Sequence, residues 1–181
     1  MENLIEEKID STDYYENSFI RVHEDTVRLP DGAESKRIVV NHVGGVNVIA
    51  ITSEKKLLLV KQFRYPLGVV TIETPAGKLE MGEEPIITAK RELEEETGYT
   101  CTGLEQVGKY ATTPGFSNEY IYQFLATDLA PLEVLVDGDD DEFVEVMEVG
   151  RDEALMMIAT GAIVDMKTVY AIQYLTLAEL W

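Results

Sequence analysis

The sequence predicts an α+β fold, in which a mixed β-sheet is sandwiched between helices and a small β unit precedes it at the N-terminus. Short runs of β-branched and apolar residues, which are typical of strands, recur along the chain as far as residue 149. One helical pattern interrupts these runs at 84–97, and two further helical patterns follow the last of them. A long series of strands with few helices is typical of α+β domains.

The N-terminal segment is predicted to form the small β unit. Residues 13–41 alternate in polarity and contain LPDG, a turn sequence with proline and glycine, at 29–32. Such a unit must pack on something, because isolated hairpins are only marginally stable in water. We therefore divide the chain into an N-terminal β unit, 1–41, and a main domain, 42–181.

Short apolar runs supply the strands expected in the main domain. GVNVIAIT at 45–52 and KLLLVKQF at 56–63 are predicted strands, and the residues between them are predicted to form a hairpin-like turn. Later strand patterns lie at 104–112, 119–127 and 143–149.

Two helices are expected after these strands. RDEALMMIAT, at 151–160, is followed by Gly161, which is a natural C-cap. The pattern at 165–180 repeats apolar residues at helical spacing, and Asp165 is its candidate N-cap. Together with 84–97 they provide the helical layers of the fold.

The helix predicted at 84–97 has clear terminal signals. Pro85 suits its first turn, and Gly98 suits the position that follows its last turn. At about 100° per residue, one stripe of the helix is expected to face the core. That stripe consists of Ile86, Ala89, Leu93 and Thr97.

Three carboxylates fall within another arc of the same helix. Glu92, Glu95 and Glu96 span about 100° of its circumference. Hard divalent cations such as Mg²⁺ prefer oxygen ligands of this kind. A solvated acidic face is the alternative, and Arg91 does not decide between them, because Arg–Glu pairs are common on helices.

The composition excludes several classes of function. Lys and Arg total 15 against 34 Asp and Glu, for a net charge of −19, which argues against binding to nucleic acid or to an anionic membrane. No apolar run approaches the roughly 18 residues that span a bilayer. The single cysteine, Cys101, is expected to be a free buried thiol, which suits a reducing cytosol, so we expect a cytoplasmic protein.

The acidic helix lies within a longer motif, at residues 74–99. Gly77, five residues, Glu83, seven residues and then RELEEETGY follow the pattern G-x5-E-x7-R-E-U-x-E-E-x-G-U, where U is bulky and apolar. This resembles the Nudix box, with Tyr99 replacing the usual aliphatic residue at the last position. The resemblance implies a Nudix hydrolase fold and a divalent metal cofactor, Mg²⁺ or Mn²⁺.

The resemblance also implies roles for individual residues. The metal ligands would be Glu92, Glu95, Glu96 and the main-chain carbonyl of Ala76. Arg91 matches the arginine that orients a box glutamate, so Arg91 and Glu95 also become candidate catalytic residues. Glu83 matches the first box glutamate, whose role in the family is partly structural.

Stretches outside the box resemble the ADP-ribose pyrophosphatase branch of the bacterial Nudix hydrolases. Pro114 lies sixteen residues after Gly98, as in that branch, and the other similar stretches are VKQFRYPLG (60–68), ETPAGKLE (73–80) and KTVYAIQYL (167–175). The branch implies Mg²⁺-dependent hydrolysis of ADP-ribose to AMP and ribose 5-phosphate. It also implies a homodimer in which the N-terminal segment reaches across to the partner.

Two other functions stay open. The substrate could be another nucleoside diphosphate sugar, because the box does not discriminate among them. The chain could also be a non-catalytic module that senses ADP-ribose, although its intact box carboxylates argue against this. In every case the partner is a small nucleotide sugar.

A second acidic cluster, DGDDDEFVEV, occupies residues 137–146. In the branch, a loop at this place brings a carboxylate over the site, where it can deprotonate the attacking water. We expect Glu142 to be this general base, with Asp140 as the alternative. A solvated loop is the simpler interpretation of the composition.

Substrate contacts follow from the same branch, which carries arginines near Arg64 and Arg37. Both are candidates for the pyrophosphate or the terminal ribose, although each could instead form a surface salt bridge. Glu73 is a candidate for hydrogen bonds to the sugar or adenine, with a purely structural role as the alternative. Phe19, Tyr14 and Tyr15 are candidates for stacking on the adenine, although core packing is the commoner role of aromatic residues.

Overall fold

The computed structural model describes residues 4–134, 136 and 143–181. The chain forms two compact units. The N-terminal unit comprises the chain up to Gly44 together with Tyr110–Ile121, and the main unit comprises Gly45–Lys109 and Tyr122–Trp181. The α+β class predicted from the sequence is confirmed.

Ten strands and three helices are present in the described part of the chain. The strands are β1 (Glu7–Glu16), β2 (Ile20–Arg28), β3 (Glu34–His42), β4 (Gly45–Ala50), β5 (Leu57–Arg64), β6 (Val69–Glu73), β7 (Ala76–Lys78), β8 (Tyr99–Ala111), β9 (Tyr120–Pro131) and β10 (Val144–Val149). The helices are α1 (Pro85–Thr97), α2 (Arg151–Ala159) and α3 (Met166–Leu177). The sequence did not predict β6 and β7, which are short.

An antiparallel sheet in the order β1-β2-β3 forms most of the N-terminal unit. The predicted turn at LPDG is confirmed, since Gly32 N donates to Leu29 O at 2.9 Å. Strand β1 begins at Glu7, well before the predicted alternating segment that starts at residue 13. Tyr110–Ile121, which also belongs to this unit, contacts β3, because Val40 N donates to Phe116 O at 2.7 Å.

The main unit holds two further sheets, in the orders β7-β4-β9-β8 and β10-β5-β6. A tight turn joins β4 to β5, in which Lys55 N donates to Thr52 O at 3.0 Å. The predicted hairpin-like turn is confirmed, since Thr52 N donates to Lys56 O at 2.8 Å and Ile51 forms an antiparallel bridge with Leu57. Beyond that bridge the two strands belong to different sheets. Both edges of β5 already pair with β6 and β10.

Strand β4 and the first four residues of β5 are buried on both of their faces. Since side chains alternate along a strand, successive apolar residues face opposite layers. One layer lies against α2 and α3 and contains Ile49, Ile51, Leu57 and Leu59, together with Ala154, Ile172 and Leu175. The other lies against α1 and contains Val46, Val48, Ala50 and Leu58, together with Ala89 and Leu93. The predicted arrangement of sheet between helices is confirmed.

The predicted helix signals agree with the structure. Pro85 opens α1, and Gly98 ends it in the left-handed conformation at φ 70°. The side chain of Asp165 caps α3 by accepting a hydrogen bond from Thr168 N at 2.9 Å. No helix in the described part of the chain is long and apolar enough to cross a membrane.

The predicted core stripe of α1 is wrong at one position. Ala89, Leu93 and Thr97 are buried, but Ile86 is 44% exposed. The helix instead buries two acidic residues, Glu92 and Glu96, along with Thr88. The neighbouring strand β7 explains how these carboxylates can be buried, because Ala76 N donates to Glu96 and Gly77 leaves space for Glu92.

Candidate functional site

Two carboxylates of α1 lie against the short strand β7. Glu92 and Glu96 are only 7% and 5% exposed. The Oε2 atom of Glu96 accepts a hydrogen bond from the backbone N–H of Ala76 at 2.9 Å. A Cβ atom on Gly77 would overlap the carboxylate of Glu92, so only glycine leaves room for it. The structure therefore brings three of the predicted metal ligands, Ala76, Glu92 and Glu96, to one place.

The fourth predicted ligand, Glu95, is joined to this group through Arg91. The Nη1 atom of Arg91 lies 2.9 Å from both Glu92 Oε1 and Glu95 Oε2. Its Nη2 atom lies 3.4 Å from Glu83 Oε2. Burial alone would lower the pKa of the Arg91 guanidinium, but the charges of Glu92, Glu83 and Glu95 raise it further above its ordinary value. Arg91 therefore stays charged and offsets the repulsion among the glutamates.

Glu83 is held in a similar way at the start of the helix. Its Oε2 atom accepts a hydrogen bond from Thr88 Oγ1 at 2.8 Å. Burial would raise the pKa of the Glu83 carboxyl, but Thr88 and Arg91 lower it below its usual value. Glu83 therefore joins the cluster as a carboxylate that helps to orient Arg91.

The chemistry of this donor set fits a hard divalent cation. Glu92, Glu95, Glu96 and the carbonyl of Ala76 would supply only oxygen atoms, the ligands that Mg²⁺ prefers. The Glu92 carboxylate fills the space that a side chain at position 77 would take, next to Ala76 in the sequence. Among the residues that the structure describes, no three His, Cys, Asp or Glu side chains already stand in a ligand arrangement. Oxygen atoms that would bind the metal instead contact protein groups. Arg91 pairs with Glu92 and Glu95, and Ala76 N donates to Glu96.

The predicted general base lies outside the described residues. Glu142 and its alternative Asp140 both belong to the segment 137–142, whose placement the structure does not describe. Val136, just before that segment, lines an open cavity of about 270 Å³ beside α1. Arg91 and Glu95 line the same cavity.

Two predicted substrate residues, Arg64 and Glu73, contact each other directly. Arg64 donates from Nε to Glu73 Oε1 at 2.8 Å and from Nη2 to Glu73 Oε2 at 2.7 Å. Burial would raise the pKa of the Glu73 carboxyl, but Arg64, Lys167 and Thr71 lower it from 4.5 to about 2. The alternative for Arg64 was a surface salt bridge. Arg64 does form a salt bridge, but it is bidentate and its partner carboxylate is buried.

The sequence reasoning missed Lys167 and Asp165 as members of this group. Lys167 Nζ lies 3.2 Å from Glu73 Oε2 and 2.8 Å from Asp165 Oδ1. The sequence predicts Asp165 only as a helix cap. The lysine two positions later gave no signal, because its partner Glu73 is 94 residues away in the sequence.

The remaining predicted substrate residues lie in the N-terminal unit. Arg37 forms a bidentate pair with Glu6, with distances of 2.9 Å from Nε and 2.6 Å from Nη2. This partner raises the pKa of the exposed Arg37 guanidinium. The ring of Phe19 packs edge-on against His42, with 5.9 Å between the ring centroids.

Comparisons with protein families match an N-terminal part of the sequence and the remainder of it to two known groups. A model described as NUDIX domain matches residues 41–170. A model described as nucleoside diphosphate sugar hydrolase N-terminal domain matches residues 6–40. The first match contains the whole box, and the second ends within β3.

Several relatives are similar over nearly the whole chain. An ADP-ribose pyrophosphatase of Bacillus subtilis (strain 168) is 48% identical over 99% of this chain and 97% of its own length. A methanol dehydrogenase activator of Bacillus methanolicus is 47% identical over the same shares of the two chains. A GDP-mannose pyrophosphatase of Cronobacter sakazakii is 35% identical over 96% of this chain and 94% of its own.

A solved structure shares the fold. The crystal structure of an ADP compounds hydrolase superposes with a TM-score of 0.82 and covers 94% of each chain. Only 16% of the residues are identical, so this likeness supports the architecture and not the chemistry.

Proposed function

The chain belongs to the Nudix domain family of hydrolases, which act on pyrophosphate bonds, and we propose that its substrate is ADP-ribose. Water would attack one phosphorus of the diphosphate and break the bridging P–O bond, giving AMP and ribose 5-phosphate. The 48% identity over nearly the full length to a protein named ADP-ribose pyrophosphatase supports this choice of substrate.

One observation carries the proposal for the chemistry. Two acidic side chains of α1, Glu92 and Glu96, are buried against Ala76 and Gly77. Burying carboxylates costs free energy unless cations or hydrogen bonds compensate, so a protein with no use for them would place apolar residues there. Glu92, Glu95, Glu96 and the Ala76 carbonyl would hold Mg²⁺ or Mn²⁺. The bound metal would neutralise charge on the phosphate oxygens.

Groups of the protein itself would carry the other tasks. Arg91 holds Glu92 and Glu95 in place through its Nη1 atom. Glu142 is the proposed base that removes a proton from the attacking water, with Asp140 as the alternative. Arg64 would bind a substrate phosphate through its Nη1 atom, while Glu73 holds the opposite edge of its guanidinium.

The N-terminal unit would complete the binding site in a homodimer. Tyr14 and Tyr15 on β1 are 60% and 56% exposed, so the alternative that they belong to a core is wrong for this chain. Exposed aromatic side chains are enriched at interfaces and can stack on a base. Arg37 and Phe19 would contribute to substrate binding from the same unit. The buried free thiol of Cys101 agrees with a reducing, cytoplasmic location.

A substrate panel tests the proposed function. ADP-ribose, GDP-mannose and UDP-glucose are supplied with Mg²⁺, and release of the nucleoside monophosphate is measured for each. ADP-ribose is expected to give the highest kcat/KM. A higher value for GDP-mannose would favour the second candidate, which the GDP-mannose pyrophosphatase relative supports. Tight binding of ADP-ribose with no AMP release would favour the non-catalytic sensing module.

A further inference from the structure

The Glu73 carboxylate is the centre of a buried polar network. Glu73 lies at the end of β6 and is 2% exposed. It accepts two hydrogen bonds from Arg64, one from Thr71 Oγ1 at 2.6 Å and one from Lys167 Nζ at 3.2 Å. These donors approach both carboxylate oxygens, so the carboxylate plane is fixed, and with it the plane of the Arg64 guanidinium.

Lys167 connects this carboxylate to the start of α3. Its Nζ atom also donates to Asp165 Oδ1 at 2.8 Å. The other oxygen of Asp165 accepts hydrogen bonds from Thr168 N at 2.9 Å and from Thr168 Oγ1 at 2.7 Å. Lys167 therefore sits between two carboxylates, and only about a fifth of its side chain is exposed.

The same helix start is tied to the strand that leads into the box. Thr168 Oγ1 accepts a hydrogen bond from Thr74 N at 2.8 Å, and the Thr74 hydroxyl donates to Asn47 Oδ1. Asn47 pairs with Ala76 in the ladder between β4 and β7. A continuous set of contacts thus runs from the predicted metal ligand Ala76 to α3 and back to Arg64.

Arg64 keeps one edge available for a ligand. Its Nε and Nη2 atoms are taken by Glu73, whereas its Nη1 atom donates no hydrogen bond to any described residue. The side chain is 39% exposed, which leaves this edge accessible. A guanidinium held along one edge by a carboxylate presents a second, planar pair of N–H groups to a phosphate.

We propose that Lys167 is a positioning residue for the substrate arginine. It touches no substrate; it fixes the Glu73 carboxylate against α3, and Glu73 in turn aims the Nη1 edge of Arg64 at a phosphate of the diphosphate. This inference rests on the proposed function, because it assumes that the ligand carries a diphosphate. Without Lys167 the Arg64–Glu73 pair would still form, but the orientation of both side chains would be less restricted.

The test compares three variants with the wild type. Lys167→Met keeps most of the side-chain length without the charge, and Lys167→Arg keeps the charge. Lys56→Met is the matched control, since among the described residues Lys56 pairs only with surface carboxylates, at 3.6 and 3.7 Å. KM and kcat for ADP-ribose are measured with Mg²⁺, and fluorescence of the single tryptophan, Trp181, checks that each variant is folded.

Lys167→Met is expected to raise KM about tenfold with kcat within about twofold, because it disturbs binding and not the attack on phosphorus. Lys167→Arg should recover most of this loss, and the control should match the wild type. If Lys167→Met does not fold, Asp165→Asn decides, because it releases Lys167 on the other side and should also raise KM.

Two results overturn the inference in distinguishable ways. A wild type that hydrolyses ADP-ribose while Lys167→Met shows an unchanged KM leaves the proposed function standing and refutes the positioning role. A fall in kcat at constant KM also refutes it. A wild type that releases no AMP refutes the proposed function, and the inference fails with it.

Discussion

The charge of Glu73 should contribute measurably to the stability of the main unit. Its pKa of about 2 lies well below the ordinary value of 4.5, because Arg64, Lys167 and Thr71 outweigh the effect of burial. The difference of about 2.5 pKa units, from 4.5 to 2, corresponds to about 3 kcal/mol of unfolding free energy at pH 7. Glu73→Gln removes the charge while keeping the size of the side chain.

The pH dependence gives this prediction its sign. The folded pKa is lower than the unfolded one, so the contribution is present above about pH 4.5 and is lost as the pH falls through about 2. The unfolding free energy of the wild type should therefore exceed that of Glu73→Gln by about 3 kcal/mol at pH 7 and by less than half of that at pH 3.

Urea unfolding followed by tryptophan fluorescence provides the assay. Trp181 is the only tryptophan, packs on the core of the main unit and donates from Nε1 to Thr176 Oγ1 at 3.1 Å. Glu145→Gln is the matched control, because Glu145 is 74% exposed where it meets Lys61, and it should change stability by less than about 0.5 kcal/mol. A wild-type advantage over Glu73→Gln that is the same at pH 7 and pH 3 would refute the reasoning.

Three further predictions concern the site and the assembly. Gly77→Ala should lower turnover about tenfold or more by displacing the Glu92 carboxylate, yet change unfolding free energy by under about 1 kcal/mol; unaltered turnover would contradict the fit under Gly77. Glu142→Gln should lower turnover while ADP-ribose still binds, whereas a crippling Asp140→Asn with a mild Glu142→Gln would reassign the base. Deleting residues 1–41 should abolish both ADP-ribose affinity and a dimer that buries above about 2,000 Å²; a fully active full-length monomer in light scattering at micromolar concentration would refute this.

The elements with strong local signals were predicted well. Pro85 and Gly98 bound α1 as the sequence indicated, and Asp165 caps α3. The apolar runs at β4 and β5 identified strands because all of β4 and the first four residues of β5 are buried. Backbone conformation and burial at these positions follow from the residues themselves, so neighbours along the chain suffice to recognise them.

Features that depend on distant partners were not predicted. Ile86 had the right spacing for a core position, but the strand opposite α1 offers Ala76 N and the space at Gly77, which accommodate carboxylates. The turn before β5 is hairpin-like, as predicted, but it does not indicate that β5 pairs with β6 and β10. Sequence spacing contains no information about which later strand will pair.

The candidate site divides in the same way. Its acidic members and Arg91 lie within one motif, where helical spacing shows that they share a face. The link from Glu73 to Lys167 joins β6 to α3 and becomes visible only in three dimensions. Arg64 and Glu73 were recognised as separate candidates, and the structure shows that each orients the other.

AMP release from ADP-ribose in the presence of Mg²⁺, by the wild type and by Glu96→Gln in parallel, tests the central claim most directly. The substitution keeps the size of the side chain and removes a charged ligand beside Ala76. The wild type should produce AMP and ribose 5-phosphate, and the folded variant should be slower by about 10²-fold or more, the loss expected for one strong electrostatic stabiliser. Turnover by Glu96→Gln close to that of the wild type at saturating Mg²⁺ would contradict the assignment of the carboxylate cluster as the metal site.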